Sequence, residues 1–144
     1  MFDFVRFTMY VAQMVKIIIA SGPVIVEDDK VLLNQHGDTT FWKFCGGKVE
    51  AYDISLKEAA AREAKEEIGV DLEFADAEPF VMHTAKHTDD GDIDVLLVHF
   101  LAKRVGDVVK GADIREVAWH DINNLPADLA PNIIPTLKHF GYLS

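Results

Sequence analysis

The sequence predicts an α+β domain in which a sheet is sandwiched between helices. Two observations lead there. Runs rich in Val, Ile, Leu and Phe, bounded by Asp, Gly and Pro, read as a series of short strands, while two stretches carry helix start and stop signals. The chain has 144 residues with 49% hydrophobic content, enough for one domain with a real core.

Taken in order, 15–26 is rich in Ile and Val with Gly22-Pro23 in its middle, so a strand bent or bulged at that point is expected. Asp28-Asp29 turns it into a second strand, Lys30 to Gln35, as a hairpin. After a polar loop, Phe41 to Phe44 reads as a strand leading to Gly46-Gly47, with Trp42 and Phe44 on one face and Lys43 on the other. Core packing or stacking on a base are both open to these aromatics. Ser55 followed by Glu58 forms a capping box and Gly69 supplies a left-handed stop, which sets a helix from about Leu56 to Ile68. A short strand from Asp71, a strand from Phe80 to Lys86, an acidic turn at Asp89-Asp90-Gly91-Asp92 and an apolar strand from Ile93 to Lys103 follow. A last strand, Asp113 to His120, precedes a helix whose opening turns accommodate Pro131 and Pro135 and which ends at Lys138-His139 before Gly141.

The chemistry concentrates on the first helix. Glu63, Glu66 and Glu67 are related by steps of three and four, which places three carboxylates on one helical face. Like charges so placed repel, and a hard divalent cation with oxygen ligands is the usual relief. Ala59, Ala60, Ala61 and Ala64 are small enough to let the Gly46-Gly47 backbone approach and add a carbonyl oxygen. Arg62 can orient a neighbouring carboxylate by a bidentate contact. A bare EAKEE run is usually a solvated acidic face. Here it coincides with a double glycine, a capping box, an Arg-Glu pair and a terminal glycine, and the coincidence favours a site.

These residues resemble the signature of the Nudix hydrolase family, in which a glycine and a spaced glutamate precede Arg-Glu, an aliphatic residue, any residue, Glu-Glu, any residue, glycine and an aliphatic residue. Residues 62–70, REAKEEIGV, match its second half, with Ala64 in the aliphatic place, and Gly46-Gly47-Lys48-Val49-Glu50 is similar to its opening. Between Gly47 and Arg62 the chain is one residue longer than the pattern, so Asp53 or Ile54 occupies the first acidic place, depending on the end from which one counts. Cys45 stands where proline is frequent. The resemblance implies a Nudix-type α/β/α sandwich over residues 14–144, with 1–13 an extension that is an extra strand, a dimer element or the product of an upstream start codon. It further implies that Glu63, Glu66, Glu67 and the Gly47 carbonyl hold Mg2+, with Mn2+ a possible substitute, that Glu63 is a candidate base and that Arg62 fixes the carboxylates. Trp42, Phe44, Glu50 and Asp92 are its candidate substrate contacts. His83, His87, Asp90 and Asp94 surround the last of these.

The implied activity is hydrolysis of the diphosphate linkage of a nucleoside diphosphate joined to another moiety; a non-catalytic module that senses a nucleotide is the alternative. A formal net charge of −10 argues against binding a nucleic-acid polymer, because such affinity comes from Lys and Arg neutralising phosphates. The lone Cys45 excludes an internal disulfide. The apolar start is interrupted by Asp3, Arg6, Gln13 and Lys16, so neither a membrane span nor a secretion signal is expected; a cytoplasmic protein is, with a homodimer left open.

Overall fold

The computed structural model describes residues 16–144; the readings of 1–13 lie outside them. The strands are β1 (Ile17–Val24), β2 (Val26–Glu27), β3 (Lys30–His36), β4 (Gly47–Lys48), β5 (Asp71–Phe74), β6 (Phe80–Thr88), β7 (Gly91–Val105) and β8 (Ile114–Asp121), and the helices are α1 (Leu56–Ile68) and α2 (Ile133–His139). A mixed five-stranded sheet runs β4-β1-β7-β5, with β6 also on β7, and a three-stranded antiparallel sheet runs β2-β3-β8. β1 and β7 are parallel, while β4, β5 and β6 run antiparallel to their neighbours.

Alternation along the strands builds two cores. On β3, Val31 and Leu33 pack with Val24, Phe44, Ile133 and Leu137 on the α2 side, whereas Leu32 joins Ile25, Cys45, Ala64 and Ile68 on the α1 side. On β7, Val98 and Phe100 meet Ala60 of α1. The sheets are thus layered between the two helices, as expected. Helix α1 has the predicted ends: the Ser55 side chain accepts from the Glu58 N–H at 3.0 Å, and Gly69 closes the helix at φ 70°.

Two expectations are corrected. β1 carries no bulge at Gly22-Pro23; its register with β7 runs without slip from Ile17↔Asp94 to Val24↔Leu101, and the break comes at Ile25, which turns to the other core. Gly22 is there for close approach: a Cβ on it would lie 1.9 Å from the Cys45 carbonyl oxygen. β4 pairs only with Ala20 and Ser21, so Pro23 is spared the need to donate to that ladder. The second correction is at Phe41 to Phe44, which is no strand but two isolated bridges, Trp42 to Leu129 and Lys43 to Asn34. The Asp28-Asp29 turn stands as read, both residues having positive φ, 50° and 60°, as a tight two-residue turn requires. It joins β3 only to the short β2, however, while β1 lies in the other sheet. The β6–β7 hairpin also forms, with its turn shortened to Asp89-Asp90. No described helix is long and apolar enough to cross a membrane.

The glycines make the packing testable. Gly22→Ala should lower stability by about 3 kcal/mol or more, since the methyl group collides with backbone, not a mobile side chain. Gly37→Ala, whose Cβ would meet only the Asp113 carbonyl at 3.6 Å, should stay within about 1 kcal/mol of the parent. Urea midpoints of the two variants compare them directly.

Candidate active site

Helix α1 holds its carboxylates in place through contacts at both ends. Ser21 Oγ donates to the Leu56 carbonyl at 2.6 Å, and the Val109 and Gly111 N–H groups donate to the Ile68 and Glu67 carbonyls at 2.8 and 2.9 Å. Glu67 is buried, at 7% exposure, and its Oε2 accepts from the Gly46 N–H at 3.0 Å and from Asn34 Nδ2 at 3.4 Å. His36 Nε2 lies 3.1 Å from Glu67 Oε1, in contact but without hydrogen-bond alignment. Beside it the Cys45 thiol is pushed well up by burial and by the Glu67 charge, so it is a neutral wall residue.

Glu63 lies against the double glycine. A Cβ on Gly47 would sit 2.6 Å from Glu63 Oε1, so only glycine lets strand β4 come so near. Burial, and then Glu67, raise the Glu63 pKa, while Arg62 opposes them. Glu66 is the exposed member, its side chain 58% accessible. All three glutamates line one cleft of about 550 Å³ with His36 and Asp113.

Arg62 explains the lengthened turn. Its Nε and Nη2 donate to the two Asp53 carboxylate oxygens, each at 2.9 Å, its Nη1 reaches Glu63 at 3.0 Å and Glu66 at 3.4 Å, and Nη2 also meets the Lys48 carbonyl at 3.2 Å. Tyr52 covers the guanidinium at 5.3 Å. Of the two residues left open by the count, Asp53 is therefore the acidic partner, and the Arg62 bond holds its carboxyl below the usual range. Ile54 is 87% exposed and is the residue the turn absorbs. Glu50 serves through its backbone, donating to Asp53 Oδ2 at 2.8 Å and accepting from the Asp53 N–H at 3.0 Å.

The glycines also border a second cavity, of about 180 Å³, on the α2 side, lined by Ser21, Phe41, Lys43, Phe44, His99 and Asn132 among others. His99 is buried, which pulls its pKa down to about 4, so the ring is neutral and accepts from Asn132 Nδ2 at 2.7 Å. Phe44 lies 4.9 Å from the His99 ring centre, whereas Trp42 packs edge-on against His120 and does not line this cavity. Asp92 and Asp94 pair instead with His87 and His83 on the exposed β6–β7 hairpin, at 2.5 and 2.9 Å, away from the carboxylate cleft. Asn34, His36, Lys43, His99, Asp113 and Asn132 were missed from the sequence. Asn34-Gln35-His36, a polar run closing an apolar strand, was the one signal available.

The donor set suits a hard cation, being carboxylate and carbonyl oxygens on one face with a glycine cradle above Glu63. As the side chains stand, no three His, Cys, Asp or Glu among the described residues converge on one point. Arg62 draws Glu63 and Glu66 to itself, and Glu67 faces Gly46.

Comparisons with known proteins give the family. The family model of the NUDIX domain matches residues 18–140. No curated protein matches the chain. Among solved structures, the solution structure of the E. coli ORF135 protein is 28% identical with a TM-score of 0.69, over 89% of this chain and 91% of that one. A MutT NUDIX hydrolase from Burkholderia pseudomallei is 21% identical with a TM-score of 0.70, over 86% and 98%, and is similar in fold. An ADP-ribose pyrophosphatase from Streptococcus suis, 23% identical with a TM-score of 0.56 over 76% and 77%, is also similar in fold. The chain therefore belongs to the NUDIX domain family and has the fold of its hydrolases.

Proposed function

We propose that the protein is a magnesium-dependent hydrolase of a nucleoside diphosphate linked to another moiety, cleaving the diphosphate. The observation that carries this reading is the shared cleft of Glu63, Glu66 and Glu67 beside Gly47. Glu63, Glu66, Glu67 and the Gly47 carbonyl would hold the ion. When bound, Mg2+, or Mn2+ in its place, offsets charge on the diphosphate oxygens and acidifies water. Glu63, whose burial favours its protonated form, accepts the proton as water oxygen adds to phosphorus and the anhydride P–O bond breaks, giving two phosphomonoesters. Arg62 acts on the carboxylates and not on the substrate, because its donors are already engaged by Asp53, Glu63, Glu66 and the Lys48 carbonyl. The cavity behind the glycines would take the organic part of the substrate. An intact carboxylate set favours catalysis over a sensing role, and magnesium-dependent release of nucleoside monophosphate from a panel of nucleoside diphosphate derivatives tests the choice. A panel without turnover would leave the binding module as the better reading.

Glu66→Gln and Glu67→Gln should each lose most activity with the fold intact, since Glu66 is exposed and at position 67 an amide oxygen can still accept the Gly46 N–H. Glu67→Ala should in addition lose about 1–3 kcal/mol, because that partly buried N–H loses its carboxylate acceptor. Rates and melting curves of the three variants separate the two effects.

Glu63 gives a pH test in metal-free protein. Its pKa is raised on folding from 4.5, so the folded state binds this proton more tightly and stability falls as pH rises from the unfolded to the folded pKa. Glu63→Gln should therefore melt higher than the parent at pH 7 in EDTA, with the difference disappearing at acid pH. A variant that melts lower at pH 7 would mean that the Arg62 contact outweighs burial.

Magnesium should raise the parent's melting temperature, by the equivalent of about 2.7 kcal/mol at 100 times its dissociation constant, and should do so less in Glu66→Gln. Calorimetric scans with EDTA and with magnesium read this without any substrate.

A further inference from the structure

The charges around the cleft do not balance. Glu63, Glu66 and Glu67 share it with Asp113 in a chain of formal net charge −10, and a diphosphate entering there is repelled. The nearby basic side chains are mostly engaged. Arg62 gives its donors to Asp53, Glu63, Glu66 and the Lys48 carbonyl, and His36 lies against Glu67. Among the described residues neither Lys43 nor Lys48 takes part in a salt bridge, but Lys48 is exposed, whereas Lys43 is half-buried and lines the cavity.

The position of Lys43 is fixed although its ammonium is not. Its N–H and C=O are bonded to Asn34 at 2.9 and 2.8 Å, which holds the backbone in place. The residue lines the cavity beside Gly46 and Gly47, and Gly47 in turn touches Glu63 on the cleft side. Glu67, Asp38 and Glu63 are near enough to favour its charge, but burial outweighs them and its pKa is lowered. A half-buried ammonium that no carboxylate contacts is unfavourable as it stands, and an anion between Lys43 and the glycines would correct it.

We propose that Lys43 binds a phosphate oxygen of the substrate at the border of the cavity and the Gly46-Gly47 backbone, and so sets the diphosphate against the helix carboxylates. The choice of ligand rests on the hydrolase reading above. Lysine suits the task as a compact charge that follows a phosphate without demanding a fixed plane. The site is then bipolar: the carboxylates take the cation, and Lys43 takes part of the anion that the cation does not neutralise.

The test uses methylenediphosphonate, which binds as a diphosphate but cannot be hydrolysed at its bridge. Its dissociation constant is measured by calorimetry in excess magnesium for the parent, Lys43→Met and Lys43→Arg, with melting curves of each. Lys43→Met should weaken binding roughly tenfold while Lys43→Arg stays within about threefold, as expected for a charge-assisted contact. In turnover, Lys43→Met should raise KM with little change in kcat and should flatten the salt dependence of KM. Lys43→Gln gives the same comparison should Lys43→Met unfold. Unchanged diphosphonate binding in a folded Lys43→Met or Lys43→Gln overturns the proposal, as does equal loss in Lys43→Arg, which would indicate shape and not charge. Magnesium-dependent hydrolysis that is indifferent to Lys43 leaves the hydrolase reading standing and removes this role. Weakened diphosphonate binding in a protein that hydrolyses no derivative supports the anion contact and removes the hydrolase reading.

Discussion

The contact on which the site depends is the hydrogen bond from the Gly46 N–H to the buried Glu67 carboxylate at 3.0 Å. It joins the helix that carries the charges to the loop that carries the glycines, and it does so from the same residue whose carbonyl accepts from Gly111. Glu67 is thus held by side chain and backbone on opposite sides. A carboxylate at 7% exposure is tolerable only with such donors around it. Because helix α1 is fixed at that point, Glu63 one turn earlier meets Gly47 and Glu66 is left facing the open cleft.

The glycines serve the same constraint from the other side. Gly22 lets the Cys45 carbonyl pass close over β1, and Gly47 lets β4 lie against Glu63; a methyl group at either would push the loop off the helix. The loop that results separates two spaces. On one side is the cleft of carboxylates, and on the other the smaller cavity closed by Phe44 and the His99–Asn132 pair. The substrate proposed above would use both, one for its diphosphate and one for its organic part.

Like-charge repulsion is managed in an uneven way. Arg62, anchored by Asp53 from the long turn, draws Glu63 and Glu66 towards one cation, so the metal-free helix is not left with three unopposed charges. The extra residue, Ile54, projects to solvent without disturbing the Ser55 cap, which is why a longer loop coexists with an unrotated helix.

The sequence alone determined the helix, its two ends and the common face of its glutamates, because caps and helical periodicity act over a few neighbouring residues. It also determined the turn into β3 and the β6–β7 hairpin, since turn residues and strand alternation are equally local. Three things were decided only by the tertiary structure. The count along the chain left Asp53 and Ile54 equivalent, and the choice fell to whichever could reach a guanidinium nine positions later. Gly22-Pro23 read as a bend or bulge, but the ladder with β7 runs through it without slip and Gly22 has a packing role that no local pattern reveals. The residues around the charges, Asn34, His36, Lys43, His99 and Asn132, come from β3, β7, the loop before β4 and the entry to α2. Their meeting depends on sheet pairing across long sequence separations, which spacing along the chain does not encode.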